Sequence, residues 1–149
     1  MGGNGTSSYL QSRSYCPRSL QTIEINLSSP LLVFLGSVFS ALGVIAGAFG
    51  AHALKASLDL QSLAVFETAV RYQMYHAFAL FIVAWLRVPA VGWLFIGGIL
   101  IFSGSLYGVS LLGLKWLGAF TPVGGLSFIL GWLWLGFCAW RAYNLEKEK

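Results

Sequence analysis

From Leu31 to Ala51 the chain runs 21 residues without a charged side chain, and 92–112 and 117–140 do the same. A helix rises about 1.5 Å per residue, so about 20 such residues cross a hydrocarbon core about 30 Å thick. Hydrocarbon offers backbone groups no hydrogen bonds, so an apolar segment of this length must satisfy them within a helix. Charged residues are 9% of the chain, far below the roughly 25% of a soluble domain. A fourth apolar stretch, about 70–88, starts beside Arg71 and is short by itself. Asp59 or Ser62, residue types that cap helix N-termini, could start its helix, which is expected to begin near Ser62 and to enter the membrane around Arg71. The expected fold is all-α, a four-helix transmembrane bundle over 30–141, with spans at about 31–51, 70–88, 92–112 and 117–140.

Residues 1–29 are polar and rich in Ser, Gly and Asn, a composition that buries little and predicts a disordered tail. Residues 142–149 read as a charged, solvated C-terminal tail. The net charge of +4 comes from scattered basic residues, with no Lys/Arg run. Phosphate binding needs clustered cations, so nucleic acid is not an expected partner. In a membrane protein these residues act as orientation signals. Four spans put both termini on one side. That side carries Arg13, Arg18, Arg87, Arg141, Lys147 and Lys149, and the other carries Lys55, Arg71 and Lys115. The excess predicts cytoplasmic termini.

Helix pairing in lipid relies on close backbone contact between small residues. Gly43/Gly47 and Gly104/Gly108 have the G-x-x-x-G spacing, and Gly124-Gly125 opens the fourth span. Packing within one bundle is the expected use. The alternative is a face for a homo-oligomer or another membrane-protein partner. The lipid bilayer is the expected environment.

The few polar groups have a pattern. With antiparallel spans, His52, Glu67, Arg71, Tyr72, Gln73, His76, Ser103, Ser105, Tyr107 and Thr121 all fall toward one end of the bundle. Such groups are costly in lipid and should face the bundle interior. They are expected to cluster near one membrane face, as a structural network or an interaction site. His52, Tyr72, His76, Ser105 and Thr121 are the expected centre. No zinc-type spacing and no hydrolase elbow occurs, so neither a metal, a cofactor nor a catalytic residue is assigned. Two other readings stand beside this one. An oligomeric transporter or channel would need polar residues along its whole path. An intramembrane enzyme would use His52 or His76 as base.

The same residues carry a family resemblance. G-A-F-G-A-H-A-L at 47–54, Y-Q-M-Y-H-A-F-A-L at 72–80, F-S-G-S-L-Y at 102–107 and T-P-V-G-G-L-S-F at 121–128 resemble, in order and spacing, domain-of-unknown-function family 423, the YgdD-like small inner-membrane proteins. The resemblance covers about Leu31 to Arg141. It implies a four-span protein, usually of the bacterial cytoplasmic membrane, with no established catalytic or transport activity; the leading expectation is a non-enzymatic membrane protein. It does not cover residues 1–29.

Overall fold

The computed structural model describes residues 28–147. The tail readings up to residue 27 lie outside them. The described chain forms four long helices: α1 Ser28–His52, α2 Leu60–Trp85, α3 Pro89–Leu112 and α4 Thr121–Lys147. Helices α1, α3 and α4 are each long and apolar enough to cross a membrane by themselves. Helix α2 has the length, at 26 residues, but Arg71, Gln73 and His76 lower its hydropathy. It lies in the middle of the bundle, with its buried face spread over α1 and α3.

The ends follow from local chemistry. Asp59 caps α2, its Oδ1 accepting from the backbone N–H groups of Gln61 and Ser62 at 2.9 Å each. Those bonds satisfy two of the donors a helix start leaves free. At the other end Arg87 takes φ 57°. Val88 N–H then bonds back to Val83 O at 3.1 Å, and Pro89 starts α3 at once. Gly113, at φ 67°, closes α3 in the left-handed conformation that glycine adopts most easily. A short 3-10 turn, Lys115–Ala119, leads into α4.

Three boundaries differ from the hydropathy pattern. Helix α2 begins ten residues before the apolar stretch at 70, because the cap at Asp59 sets its start. Helix α4 begins at Thr121 rather than 117, because the 3-10 turn takes up the first apolar residues. It also runs on through the charged segment to Lys147. Helix α3 contains a π-turn at Ile99–Ser103, which widens the helix locally and shifts the facing of later residues.

The core lies between α2, α3 and α4. Leu80, Val83, Val91, Phe95 and Phe128 are buried there, with Leu32 of α1 joining at one end. Glycines set the spacing. A Cβ on Gly124 would stand 2.4 Å from the backbone nitrogen of Phe102, so α4 touches the backbone of α3 at the π-turn. Gly131 receives the ring of Phe95, and Gly98 that of Phe128. Helix α1 rests mainly on α2, with Gly36, Gly43, Gly47 and Gly50 facing Leu80, Met74, Val70 and Phe66. The Gly43/Gly47 pair thus serves packing within the chain. The Gly104/Gly108 pair does not join two long helices. Gly108 meets Leu117 of the connecting turn, and Gly104 faces open space.

Candidate functional site

Gln73 ties three helices together. It is buried halfway along α2. Its Nε2 donates to Phe39 O of α1 at 2.8 Å. Its Oε1 accepts from the Tyr107 hydroxyl of α3 at 2.9 Å. A carbonyl only accepts, so the amide orientation is fixed by its partners. Phe39 lies in the middle of α1, so this joint sits at mid-bundle.

His76 follows one turn later and forms a second joint. Its Nδ1 lies 2.7 Å from Tyr72 O, and the Trp132 indole N–H of α4 donates to its Nε2 at 3.2 Å. The indole can only donate and the carbonyl can only accept. The ring is therefore neutral, with its proton on Nδ1 and both nitrogens engaged. The imidazole stacks on Phe128 with centroids 3.4 Å apart and planes within 6°. Phe95 and Trp132 flank it at 5.5 and 6.1 Å.

A third joint links α3 and α4. Ser105 Oγ lies 2.7 Å from Thr121 Oγ1 and donates to Phe102 O at 2.9 Å. With the Ser105 proton so used, the Thr121 hydroxyl is the donor between them. Ser127 Oγ of α4 donates to Leu94 O of α3 at 2.7 Å. Ser103 is buried, and its hydroxyl has no hydrogen-bond partner among the described residues.

The polar residues singled out by sequence are thus distributed over separate joints. Tyr72 meets His76, Gln73 meets Tyr107, and Ser105 meets Thr121. His52 is exposed at the end of α1 and joins none of these hydrogen bonds. Glu67 and Arg71 are exposed, beside a small cavity against Gly47 and Gly50. Gln73 and His76 lie at mid-helix, because α2 starts at Leu60 and runs to Trp85. Phe39 O, Trp132 and Leu94 O were not foreseen. Two of them are backbone carbonyls, which every residue has. Trp132 is apolar in composition and polar at a single atom, so hydropathy does not flag it.

Outside the membrane-spanning segments, Asp59 is held below its ordinary carboxyl range, first by the Ser62 backbone N–H and then by the Ser62 hydroxyl. Among the described residues no three His, Cys, Asp or Glu side chains converge as metal ligands would. Two lateral grooves flank the joints. One, about 540 Å³, is lined by Tyr72, His76, Phe128 and Trp132. The other, about 510 Å³, lies between α1 and α3 with Gln73, Gly104 and Tyr107 in its lining.

The family whose description is "Protein of unknown function (DUF423)" matches residues 46–125. That range includes Gln73, His76, Tyr107 and Thr121 and stops short of Trp132. The UPF0382 membrane protein YwdK of Bacillus subtilis is 43% identical over 111 residues, covering 69% of this chain and 90% of the relative. A UPF0382 membrane protein of Staphylococcus haemolyticus is 44% identical over 111 residues, covering 70% and 91%. One from Staphylococcus epidermidis is 40% identical over 109 residues, covering 69% and 89%. No solved structure matches the chain. With that identity across nearly the whole length of these relatives and a family match over half of its own, the chain belongs to the DUF423 family of membrane proteins.

Proposed function

We propose that this integral membrane protein is not an enzyme and that its buried polar side chains are struts that fix how its helices meet, with the lateral grooves left for interaction. The observation that carries this reading is the state of His76. Both ring nitrogens are engaged, one by Tyr72 O and one by the Trp132 indole. A general base needs a free nitrogen within reach of a substrate proton, and this ring offers none without breaking a joint. The other histidine, His52, is exposed at the far end of α1.

Transport is the competing reading. The polar groups do not line a path from end to end. They form separate lateral joints between helices, with apolar layers of Leu80, Val83 and Phe95 beyond them. The cytoplasmic membrane of a bacterium, with both termini inside, is the location we propose. Its support is the charge count on the two sides and the bacterial relatives.

The test is His76→Ala in detergent and in liposomes. The change leaves the Trp132 N–H without its acceptor and removes the stack on Phe128. It should destabilise the bundle by about 2 kcal/mol, read as a lower melting temperature. Liposomes with the unaltered protein should pass no protons or ions. Unchanged melting together with a growth defect would replace the strut by a functional site. A flux abolished by the substitution would favour transport.

A further inference from the structure

Glu67 and Arg71 take no part in the joints. They stand one turn apart on α2 and line a cavity of about 240 Å³ with Gly47, Gly50 and Ala51 of α1. Both are exposed, and among the described residues neither forms an ion pair. The depth of this cavity follows from α1. Its charge-free run, Leu31 to Ala51, is about 31 Å long at the helical rise and so just fills the hydrocarbon core. Ala51 therefore marks the border with the lipid headgroups. Phe66 meets Gly50, and Val70 meets Gly47. That sets the backbone of Glu67 beside the border and that of Arg71 about 6 Å inside it.

A charge at that depth is costly in hydrocarbon and has to reach a polar partner. Helical side chains lean toward the N-terminus of their helix, which for α2 is the border side. The Arg71 guanidinium thus rises on its aliphatic stem to headgroup level. On a lateral wall the partner at that level is a phospholipid, whose phosphate takes two parallel N–H bonds from a guanidinium. Glu67 narrows the choice. It stands one turn nearer the water, and a carboxylate only accepts. It disfavours a headgroup with no cation and favours one with N–H donors. A trimethylated ammonium has no N–H to give, so the cation is a primary ammonium. The order of the two charges along α2 is also the order within one such headgroup. The phosphate joins the glycerol and lies deeper, and the ammonium follows it toward water.

We propose that this cavity binds the phosphoethanolamine headgroup of a phospholipid, with Arg71 on the phosphate and Glu67 on the primary ammonium. The acyl chains run from the phosphate into the hydrocarbon, as the order of depths requires. Gly47, Gly50 and Ala51 keep the facing wall of α1 low and leave room beside the two charges. The assignment goes beyond the strut reading and uses none of the strut residues.

The test is native mass spectrometry of the full chain, titrated separately with dioleoyl phosphatidylethanolamine, phosphatidylcholine and phosphatidylglycerol. One phosphatidylethanolamine should bind at least about fivefold more tightly than either other lipid. Glu67→Gln should abolish that preference, and Arg71→Gln should weaken phosphatidylethanolamine binding at least about fivefold. Both side chains are exposed, so melting temperatures should stay unchanged. If Arg71→Gln does not fold, the loss of preference in Glu67→Gln carries the test alone. Soluble glycerophosphoethanolamine has the same charged groups without acyl chains and should compete only weakly. Four outcomes overturn the proposal: equal binding of the three lipids, which a mutual Glu67–Arg71 pair would give; a preference for phosphatidylglycerol; a preference unchanged in folded Glu67→Gln; or competition by the soluble headgroup as strong as the lipid's. Failure of the struts would show in the melting of His76→Ala, a separate readout.

Discussion

Helix α1 meets α2 along four glycines, and most of what stands opposite them is side chain. Helix α4 meets α3 at Gly124, and what stands opposite is the backbone of Phe102. Both contacts are close, yet they differ in what can yield. A thioether or a phenyl ring can rotate aside, but a backbone nitrogen inside a helix cannot. In lipid, where apolar burial gives helices little reason to associate, such contact is a main source of cohesion. The joints follow the same division. Among the described residues the α1–α2 seam has one interhelical hydrogen bond, from Gln73 to Phe39 O. The α3–α4 junction has two, at Ser105–Thr121 and Ser127–Leu94 O.

Substitution with alanine sharpens this contrast. Gly124→Ala should have the largest effect, about 3 kcal/mol or more, because its Cβ would meet Phe102 N at 2.4 Å. Loss of the folded bundle in thermal melts is the expected result, and a mild effect would break the distinction between the two contacts. Gly36→Ala should cost about 1–2 kcal/mol, since its Cβ would lie 3.1 Å from Ala77 O and 3.3 Å from Leu80 Cβ. Gly43→Ala should cost less than Gly36→Ala, although its nearest atom is only 2.4 Å away, because that atom is the Met74 sulfur on an adaptable chain. The reverse order for Gly36 and Gly43 would show that distance alone decides.

The smallest expected effect is at the α2 cap and depends on pH. Asp59 is held below its ordinary range by its bonds to Ser62. Its contribution is therefore complete above the unfolded carboxyl pKa, and it declines as pH falls through the lower folded value. Melting temperature should drop slightly below pH 4 in the unaltered protein. Asp59→Asn still caps but does not titrate, so its melting curve should lack that part of the drop.

How far the sequence foretells this arrangement depends on the kind of signal. Four apolar stretches require four helices, because no other element satisfies a backbone in lipid. The family was legible from blocks such as F-S-G-S-L-Y at 102–107. The depth of the polar groups was not. Hydropathy located the second span by its apolar residues, and Asp59 and Ser62 signalled an earlier helix start, but only the structure shows that a helix from Leu60 to Trp85 holds Gln73 and His76 near its middle. The π-turn at Ile99–Ser103 has no composition of its own. It arises with the approach of Phe102 to Gly124, a tertiary contact, and it fixes which way Tyr107 faces. His52 looked like a partner for His76 because both lie on polar stretches, but the α1–α2 register keeps them apart.

The central claim is that the polar joints of α2 lie at mid-bilayer. Nitroxide labels placed singly at Tyr75, Phe78 and Ile82, all exposed on α2, measure this in liposomes through their relative accessibility to oxygen and to a water-soluble relaxing agent. The label at Tyr75 should be the deepest and that at Ile82 the shallowest, with about 10 Å of helix rise between them. A label at Ile82 as deep as or deeper than that at Tyr75 would return the polar groups to the membrane face and contradict the account.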